Sequence, residues 1–150
     1  MASCRWRGAE MPRQIPVLLV VDDRPADAFL MRKALERHGP KNVEVKVAVH
    51  GRDAISMVEL GLRPQLILLD LIMPVMDGHE FLAFRKTDAL LRKIPVLVLT
   101  TSPSPSDIVR AYEQGANSYL KKPVGRQDLD SLVQVVSDFW LDLAELPEFR

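Results

Sequence analysis

The sequence predicts an α/β fold: a doubly wound, five-stranded parallel sheet with helices on both faces. Three observations predict it. Apolar runs and helical patterns alternate five times along the chain, the order that builds βαβ units. Three of the runs, at residues 15–21 (IPVLLVV), 65–70 (QLILLD) and 94–99 (IPVLVL), are almost wholly apolar, as are strands buried on both faces of a parallel sheet. The connections are short, and no repeat, low-complexity tract or linker marks a second domain. The crossovers are expected to be right-handed.

Residues 1–14 are polar, mixed and non-periodic, the pattern of a poorly ordered N-terminal extension. Met11 is a second candidate start within it. The first strand ends in the acidic pair Asp22-Asp23. Pro25 then opens a helix, where its missing N–H costs nothing. Ala28, Met31 and Leu35 follow at helical spacing, and Gly39-Pro40 stops the helix. Val43, Val45 and Val47 alternate with polar residues, as in a half-buried strand near the sheet edge. A second helix covers 51–60 and is closed by Gly61. The run at 65–70 places Asp70 at the C-terminal end of a buried strand, opening the loop 71–78 (LIMPVMDG). The third helix, 78–87, carries Phe81, Leu82 and Phe84. The run at 94–99 ends in Thr100-Thr101-Ser102, and the turn-rich residues 103–107 (PSPSD) lead into a short helix that ends at Gln114-Gly115. A short fifth strand at 117–120 runs into Lys121-Lys122-Pro123, and a last helix begins near Gln127.

A chain of 150 residues is one domain with room for a real core. Its 47% hydrophobic and 27% charged residues suit a soluble globular protein. A formal net charge of zero gives no bulk attraction to nucleic acid or an anionic membrane. No stretch approaches the roughly 18 apolar residues of a membrane span. Arg5 and Arg7 have no apolar core behind them, so they begin no secretory signal. The expectation is a cytoplasmic protein with neither nucleic acid nor membrane as partner. The single cysteine, Cys4, excludes an internal disulfide and reads as a spectator. His38, His50 and His79 share no spacing with a second nucleophile, and His79, at a helix start, reads as an exposed histidine. No GxxxxGK[ST] run supports a nucleotide-binding loop.

In a parallel sheet the C-terminal strand ends share one edge, where open α/β sheets bind their ligands. Asp22, Asp23, Asp70, Thr100 and Lys122 therefore converge on one crevice. Three crowded carboxylates repel, and one would keep its proton. A hard divalent cation removes that conflict: Mg²⁺ takes oxygen ligands, keeps several waters and works with phosphate. An ammonium and a hydroxyl beside it suit a phosphoryl group. Each piece also has an ordinary reading. Asp22-Asp23 can cap the following helix, Asp70 can start a turn, Thr100 can be a β-branched strand residue, and Lys122 can be solvated surface. Together those readings leave the shared position at strand ends unexplained.

Val20-Val21-Asp22-Asp23, the stretch LLDLIMPVMDG at 68–78, Leu99-Thr100-Thr101 and Tyr119-Leu120-Lys121-Lys122-Pro123 occur in this order. They resemble the signature of response-regulator receiver domains, over residues 15–136. The resemblance implies the flavodoxin-like (CheY-like) strand order 2-1-3-4-5. It implies that Asp70 accepts a phosphoryl group from a phosphohistidine on a sensor histidine kinase. Asp23, Asp70 and the backbone carbonyl of Ile72 would ligate Mg²⁺, with Asp22 holding it mainly through water. Lys122 would pair with the phosphoryl oxygens, and the Lys122–Pro123 peptide would be cis. Thr100, next to Thr101, would move toward the phosphoryl group, and Tyr119 would follow it inward. Such a protein is a signalling phosphoacceptor, with only self-catalysed phosphotransfer and dephosphorylation. Two departures stand out. Ile72 is apolar where many relatives are polar, which is expected to hinder attacking water and slow loss of the phosphoryl group. Thr101 is bulkier than the small residue often found there, which bears on how freely Tyr119 swings. The alternatives are a phosphate-independent interaction domain and a Mg²⁺-dependent phosphoaspartate phosphatase. The second would need a substrate cap and usually an Asp at position 72.

Leu129, Leu132, Val133, Val136, Phe139, Trp140 and Leu143 form one apolar stripe at helical spacing. A helix from Gln127 to Leu143 would be about 25 Å long, against about 17–20 Å for a buried strand. Its last turn is expected to overhang the sheet with Phe139 and Trp140, followed by Leu146 and Phe149. Apolar surface outside a core marks a partner site, unless the tail folds back over its own domain. The YLKKP segment with residues 138–141 (DFWL) and Leu146-Pro147 resembles the stand-alone receivers that serve bacteriophytochrome histidine kinases. That resemblance implies a red-light sensor as donor. It also implies a homodimer through the last helix and residues 144–150, with Phe139, Trp140, Leu143 and Leu146 in the contact. The receiver unit would be 15–143. An end at Arg150 leaves no room for a DNA-binding output domain, so output is expected by protein contact or onward phosphotransfer.

Overall fold

Successive residues of a strand point to opposite faces of its sheet, and in this chain both faces are apolar. Leu19, Val21, Ile67, Leu69, Val96 and Val98 face one layer, and Leu18, Val20, Leu66, Leu68, Leu97 and Leu99 the other. Each layer needs its own helices, and the alternating order supplies them. The computed structural model describes residues 15–148. The expected extension at 1–14, with Cys4 and Met11, and Phe149 of the tail lie outside the described residues. The elements are β1 (Val17–Val21), α1 (Pro25–His38), β2 (Glu44–Ala48), α2 (Gly51–Glu59), β3 (Leu66–Leu69), α3 (Gly78–Thr87), β4 (Val96–Thr100), α4 (Pro105–Glu113), β5 (Ser118–Lys121) and α5 (Arg126–Asp138). A 3₁₀ turn, Leu91–Lys93, precedes β4. The five strands are parallel in the order β2-β1-β3-β4-β5. No helix among the described residues is long and apolar enough to cross a membrane.

Helices α2, α3 and α4 cover the first layer, contributing Ala54, Ile55, Val58, Phe81, Leu82 and Ala111. Helices α1 and α5 cover the second with Met31, Ala34, Leu35, Val133 and Val136. Arg37 of α1 donates to Asp130 of α5 at 2.7 Å, tying those two helices together. Arg85 does the same on the opposite face. It is buried in α3, and its guanidinium donates to the carbonyls of Ile94 and Gly115, at the approaches to β4 and β5. Burial lowers its pKa, yet guanidinium stays charged at any working pH.

The tail departs from expectation. The α-helix ends at Asp138, and the Phe139–Leu143 segment widens to a π-helical turn, closed by the Ala144 N–H on the Phe139 carbonyl at 2.7 Å. That turn rotates Trp140 and Leu141 onto the α1/α5 layer, so Trp140 leans on its own domain rather than overhanging. Phe139 and Leu143 point outward, 51% and 72% exposed. Phe139 and Trp140 meet edge to face with ring centroids 5.2 Å apart.

The loop after β3 is fixed at two points. The Gly51 N–H donates to the Met76 carbonyl, and the Met76 side chain lies where a Cβ on Gly51 would sit. At the other end Asp77 and Glu80 form a capping box that starts α3. Just before both anchors, Val75 takes φ +67° with its side chain exposed. A left-handed β-branched residue costs about 1–2 kcal/mol, strain that the anchored loop holds beside the site.

Candidate cation and phosphoryl site at the strand ends

Asp22, Asp70 and Lys122 are each the first residue beyond a strand, and each amide still belongs to the sheet. Asp22 N–H donates to Ala48 O at 3.0 Å, Asp70 N–H to Val21 O at 3.0 Å, and Lys122 N–H to Thr100 O at 2.8 Å. Register does the rest: Val21 pairs with Leu69, and Leu69 with Val98. The two carboxylates therefore emerge side by side from a rigid base. Asp22 also accepts from Arg24 N–H at 2.9 Å, and Asp70 from Ile72 N–H at 3.3 Å. Each thus uses one oxygen on its own turn and leaves the other for Lys122.

The Lys122 ammonium donates to Asp22 at 2.8 Å, Asp27 at 2.8 Å and Asp70 at 3.2 Å. Asp22, Asp23 and Asp70 each offer an oxygen within 4.8 Å of the others. Three carboxylates thus share one ammonium, with Asp23 beside two of them, and the crevice is short of positive charge. Asp23 Oδ1 is buried and without a hydrogen-bond partner among the described residues, a costly state for a carboxylate oxygen. An oxygen-lined, electron-rich set of this kind fits a hard divalent cation. Burial raises the Asp22 pKa, an effect that its hydrogen bond from Lys122 only partly offsets. Burial also works against the Lys122 charge, but the hydrogen bonds to Asp22 and Asp27 and the charge of Asp70 outweigh it and raise the lysine above its ordinary value. The two partners respond unequally because Lys122 gains from three carboxylates while Asp22 shares one cation. The ammonium is charged, and its site is built for it.

Asp27 was not among the residues singled out from the sequence. Pro25 occupies the first helical position, so Asp27 lies in the first turn of α1, where an acid reads as a complement to the helix dipole. Its position five residues after Asp22, one turn into a helix that starts at the strand end, is the signal that returns it to the crevice.

The remaining expected residues are placed less uniformly. Thr100 is fully buried at the end of β4, and its hydroxyl accepts from the Ser102 N–H at 3.4 Å. Thr101 is exposed, outside the acidic cluster. Ile72 has its side chain 61% exposed. Tyr119 is half-buried, its hydroxyl donates to the Ser102 carbonyl at 2.9 Å, and burial pushes its pKa up.

Two expectations are corrected. No cis peptide bond occurs among the described residues, so Lys122–Pro123 is trans. Trans is the lower-energy form of an X–Pro bond by about 0.5–1 kcal/mol, and the trans link already lets Lys122 reach all three carboxylates. His79 is buried rather than exposed, 6% accessible, with Nε2 3.0 Å from Asp107 Oδ1. The cause is Gly78, which sits so close to the Asp70–Leu71 backbone that the first turn of α3 sinks inward and takes His79 with it.

Comparison with known proteins agrees with this geometry. A family model described as the response regulator receiver domain matches residues 18–134. The probable methanogenesis regulatory protein FilR2 of Methanothrix harundinacea is 41% identical over 130 residues, 83% of each chain. The response regulator Rcp1 of Synechocystis is 38% identical over 137 residues, covering 87% of this chain and 92% of Rcp1. The crystal structure of Mn²⁺-bound Rcp1 superposes with a TM-score of 0.81 at 37% identity, over 89% of this chain and 99% of that one. The phosphorylated cyanobacterial phytochrome response regulator RcpA superposes with a TM-score of 0.84 at 35% identity, over 90% of this chain and all of that one. The strand order, the acidic cluster at the strand ends and these similarities converge: the chain belongs to the response regulator receiver domain family.

Proposed function

We propose that residues 15–143 accept a phosphoryl group on Asp70 from the phosphohistidine of a sensor histidine kinase and pass the signal on through altered protein contacts. The observation that carries this reading is Lys122, held at once by Asp22, Asp27 and Asp70 at the strand ends. In the transfer, an Asp70 carboxylate oxygen bonds to phosphorus, the phosphorus–nitrogen bond to the donor imidazole breaks, and that imidazole leaves. The Lys122 ammonium, already aimed at Asp70, turns to the phosphoryl oxygens. Thr100 and Tyr119 are the groups that move with them. Asp22, Asp23, Asp70 and the Ile72 carbonyl are the residues that would hold Mg²⁺. When bound, the ion supplies charge neutralisation for the carboxylates and the phosphoryl oxygens, which is most of what such a transfer requires. RcpA is a phytochrome response regulator and Rcp1 binds Mn²⁺. On those similarities the donor is a phytochrome-type kinase and the ion is divalent; the cytoplasm is the setting in which such a receiver would work.

The test is mass spectrometry after incubation with acetyl phosphate. A gain of one phosphoryl group that needs both Mg²⁺ and Asp70, and is absent in Asp70→Asn, is expected. No gain leaves a phosphate-independent interaction domain, and steady turnover of phosphate esters would mean a phosphatase. Ile72→Asn is expected to shorten the phosphoryl lifetime several-fold, because an amide can steer water where the branched aliphatic side chain excludes it. Equal decay rates in the two proteins would dispose of that role for Ile72.

Phe139 and Leu143, exposed on the π-helical turn, with Leu146 and residues 144–150 beyond, are proposed as the contact of a homodimer, with Trp140 supporting the turn from below. Phe139→Asp with Leu143→Asp is expected to halve the mass in solution by light scattering. A wild type that is already monomeric at micromolar concentration would rule the dimer out.

A further inference from the structure

An ammonium has three N–H donors, and those of Lys122 end on Asp22 at 2.8 Å, Asp27 at 2.8 Å and Asp70 at 3.2 Å. Two of these carboxylates have a second duty. Asp22 and Asp70, with Asp23, are the oxygen set that fits a divalent cation. Each oxygen of both is already in use. Asp22 Oδ1 accepts from the Arg24 amide and Oδ2 from Lys122, while Asp70 Oδ1 accepts from the Ile72 amide and Oδ2 from Lys122. A cation and the ammonium therefore call on the same two oxygens, and both are positive. Among the described residues, Asp27 is the one carboxylate on Lys122 that lies outside the cation set.

Local structure explains why Asp27 is available. Arg24 is the N-cap of α1 and Pro25 its first residue, so Asp27 is the third. A Glu or Gln at that position closes a capping box on the N-cap amide. Here that amide already donates to Asp22 at 2.9 Å. The shorter Asp27 side chain is turned instead to Lys122, which comes from the end of β5, 95 positions later. Asp27 is the outermost of the three, its side chain 34% exposed against 6% for Asp22 and 7% for Asp70. Asp27 and Lys122 also line a cavity of about 60 Å³ together with Val20, Leu68 and Leu99. Apolar walls of that kind strengthen an ion pair set against them.

We infer that Asp27 is a positioning residue for Lys122: it retains the ammonium in the crevice when Asp22 and Asp70 serve a divalent cation, so that both positive charges occupy the site together. Like charges repel strongly at such range, and they share a crevice when each has a counter-charge of its own. Asp23 and the oxygens it shares with Asp22 and Asp70 serve the ion, and Asp27 serves the ammonium. Without Asp27, every carboxylate oxygen on Lys122 is one that the ion also needs. The role rests on the phosphoacceptor reading for its purpose, since a retained ammonium is in place for the phosphoryl oxygens. It is defined, and read, without phosphate.

The experiment uses the full chain labelled with ¹⁵N-lysine. The side-chain ammonium signal lost in Lys122→Met is assigned to Lys122, because a held ammonium is visible where a free one exchanges with water. Wild type is compared with Asp27→Asn, which keeps the shape and removes the charge, and with Asp27→Glu, which restores it. In wild type the Lys122 signal is expected with and without saturating Mg²⁺. In Asp27→Asn it is expected without Mg²⁺, where Asp22 and Asp70 still hold the ammonium, and to vanish with it. Calorimetric Mg²⁺ affinity is expected to fall about 5- to 20-fold in Asp27→Asn, the scale of one charge-assisted hydrogen bond to a partly exposed partner, and to recover in Asp27→Glu. In the Lys122→Met background, Asp27→Asn is expected to change that affinity by less than about 2-fold, since the group through which it acts is gone. A Lys122 signal that survives saturating Mg²⁺ in Asp27→Asn overturns the proposal, as does one that vanishes with Mg²⁺ in wild type. An equal loss of affinity with and without Lys122 overturns it too, by showing that the Asp27 charge acts on the ion directly. A wild type that labels with acetyl phosphate but binds no Mg²⁺ would overturn it while leaving the phosphoacceptor reading intact. No mass gain in wild type would sink that reading alone, and the phosphate-free signals would still decide the role of Asp27.

Discussion

Lys122→Met is expected to cost the cation-free protein about 2–4 kcal/mol of stability and to slow phosphorylation of Asp70 by about 100-fold. Methionine keeps most of the aliphatic stem, so the packing of the side chain survives and the charge alone is removed. What remains is Asp22, Asp27 and Asp70 facing one another without their shared cation. The side chains of Asp22 and Asp70 are only 6% and 7% exposed, so water cannot replace the ammonium. Asp27 is 34% exposed and screens part of the loss, which keeps the figure below that of a fully buried pair. The sign with pH follows from linkage. The folded-state pKa of Lys122 is raised above 10.5, so its contribution is complete below that value and fades only as pH rises beyond it. In Lys122→Met the defect is expected to be large at neutral pH and to shrink as pH falls and the carboxylates take up protons. It is also expected to shrink on adding Mg²⁺. Urea unfolding at two pH values, with and without the ion, checks this. A variant as stable as wild type at pH 7 without divalent cation would show that Lys122 carries no net charge compensation.

Gly78→Ala is the second large effect. A single methyl at Gly78 would lie 2.5 Å from Asp70 O, 2.7 Å from Leu71 Cα and 2.9 Å from a Leu71 methyl. Two of those three atoms are backbone, so no rotamer change relieves the clash. The Asp70–Leu71 segment must move, at a cost of about 2–3 kcal/mol. The movement displaces the acceptor from Lys122 and from the acidic cluster, and a misplacement of about 1 Å costs about 100-fold in a positioned reaction. Gly125→Ala is the control: nothing lies within 4 Å of its Cβ, and its effect is confined to the N-cap preference for glycine over alanine, about 0.5–1 kcal/mol, with labelling unchanged. Thermal unfolding and acetyl phosphate labelling of the two variants separate the cases. Equal behaviour of Gly78→Ala and Gly125→Ala would mean that the loop after β3 is softer than its two anchors imply.

Which parts of this were readable in advance depended on whether the signal was local. The strands at β1, β3 and β4 are short, nearly unbroken apolar runs, and their length, their valines and isoleucines and the helical patterns between them point to a sheet buried on both faces. The placement of Asp22, Asp70 and Lys122 followed, because parallel strands share an edge. Asp27 did not follow, since its role depends on where the first turn of α1 points. His79 reads as exposed from its neighbours in sequence, and is buried because Gly78 packs against a backbone seven to eight residues earlier. Trp140 reads as overhanging if the helix continues to Leu143, and leans inward because the helix widens at Phe139.

By itself, the sequence determined the fold class, the strand ends that carry chemistry, and the acidic and basic residues that meet there. Hydrophobic periodicity and chain order encode these, and both are properties of a segment and its immediate neighbours. Only the tertiary structure decided that Lys122 is shared by three carboxylates, Asp27 among them, that its bond to Pro123 is trans, that His79 reaches Asp107, and that Thr101 faces solvent. The lysine and histidine contacts join residues 28 to 100 positions apart, where a few ångströms of packing decide which donor meets which acceptor.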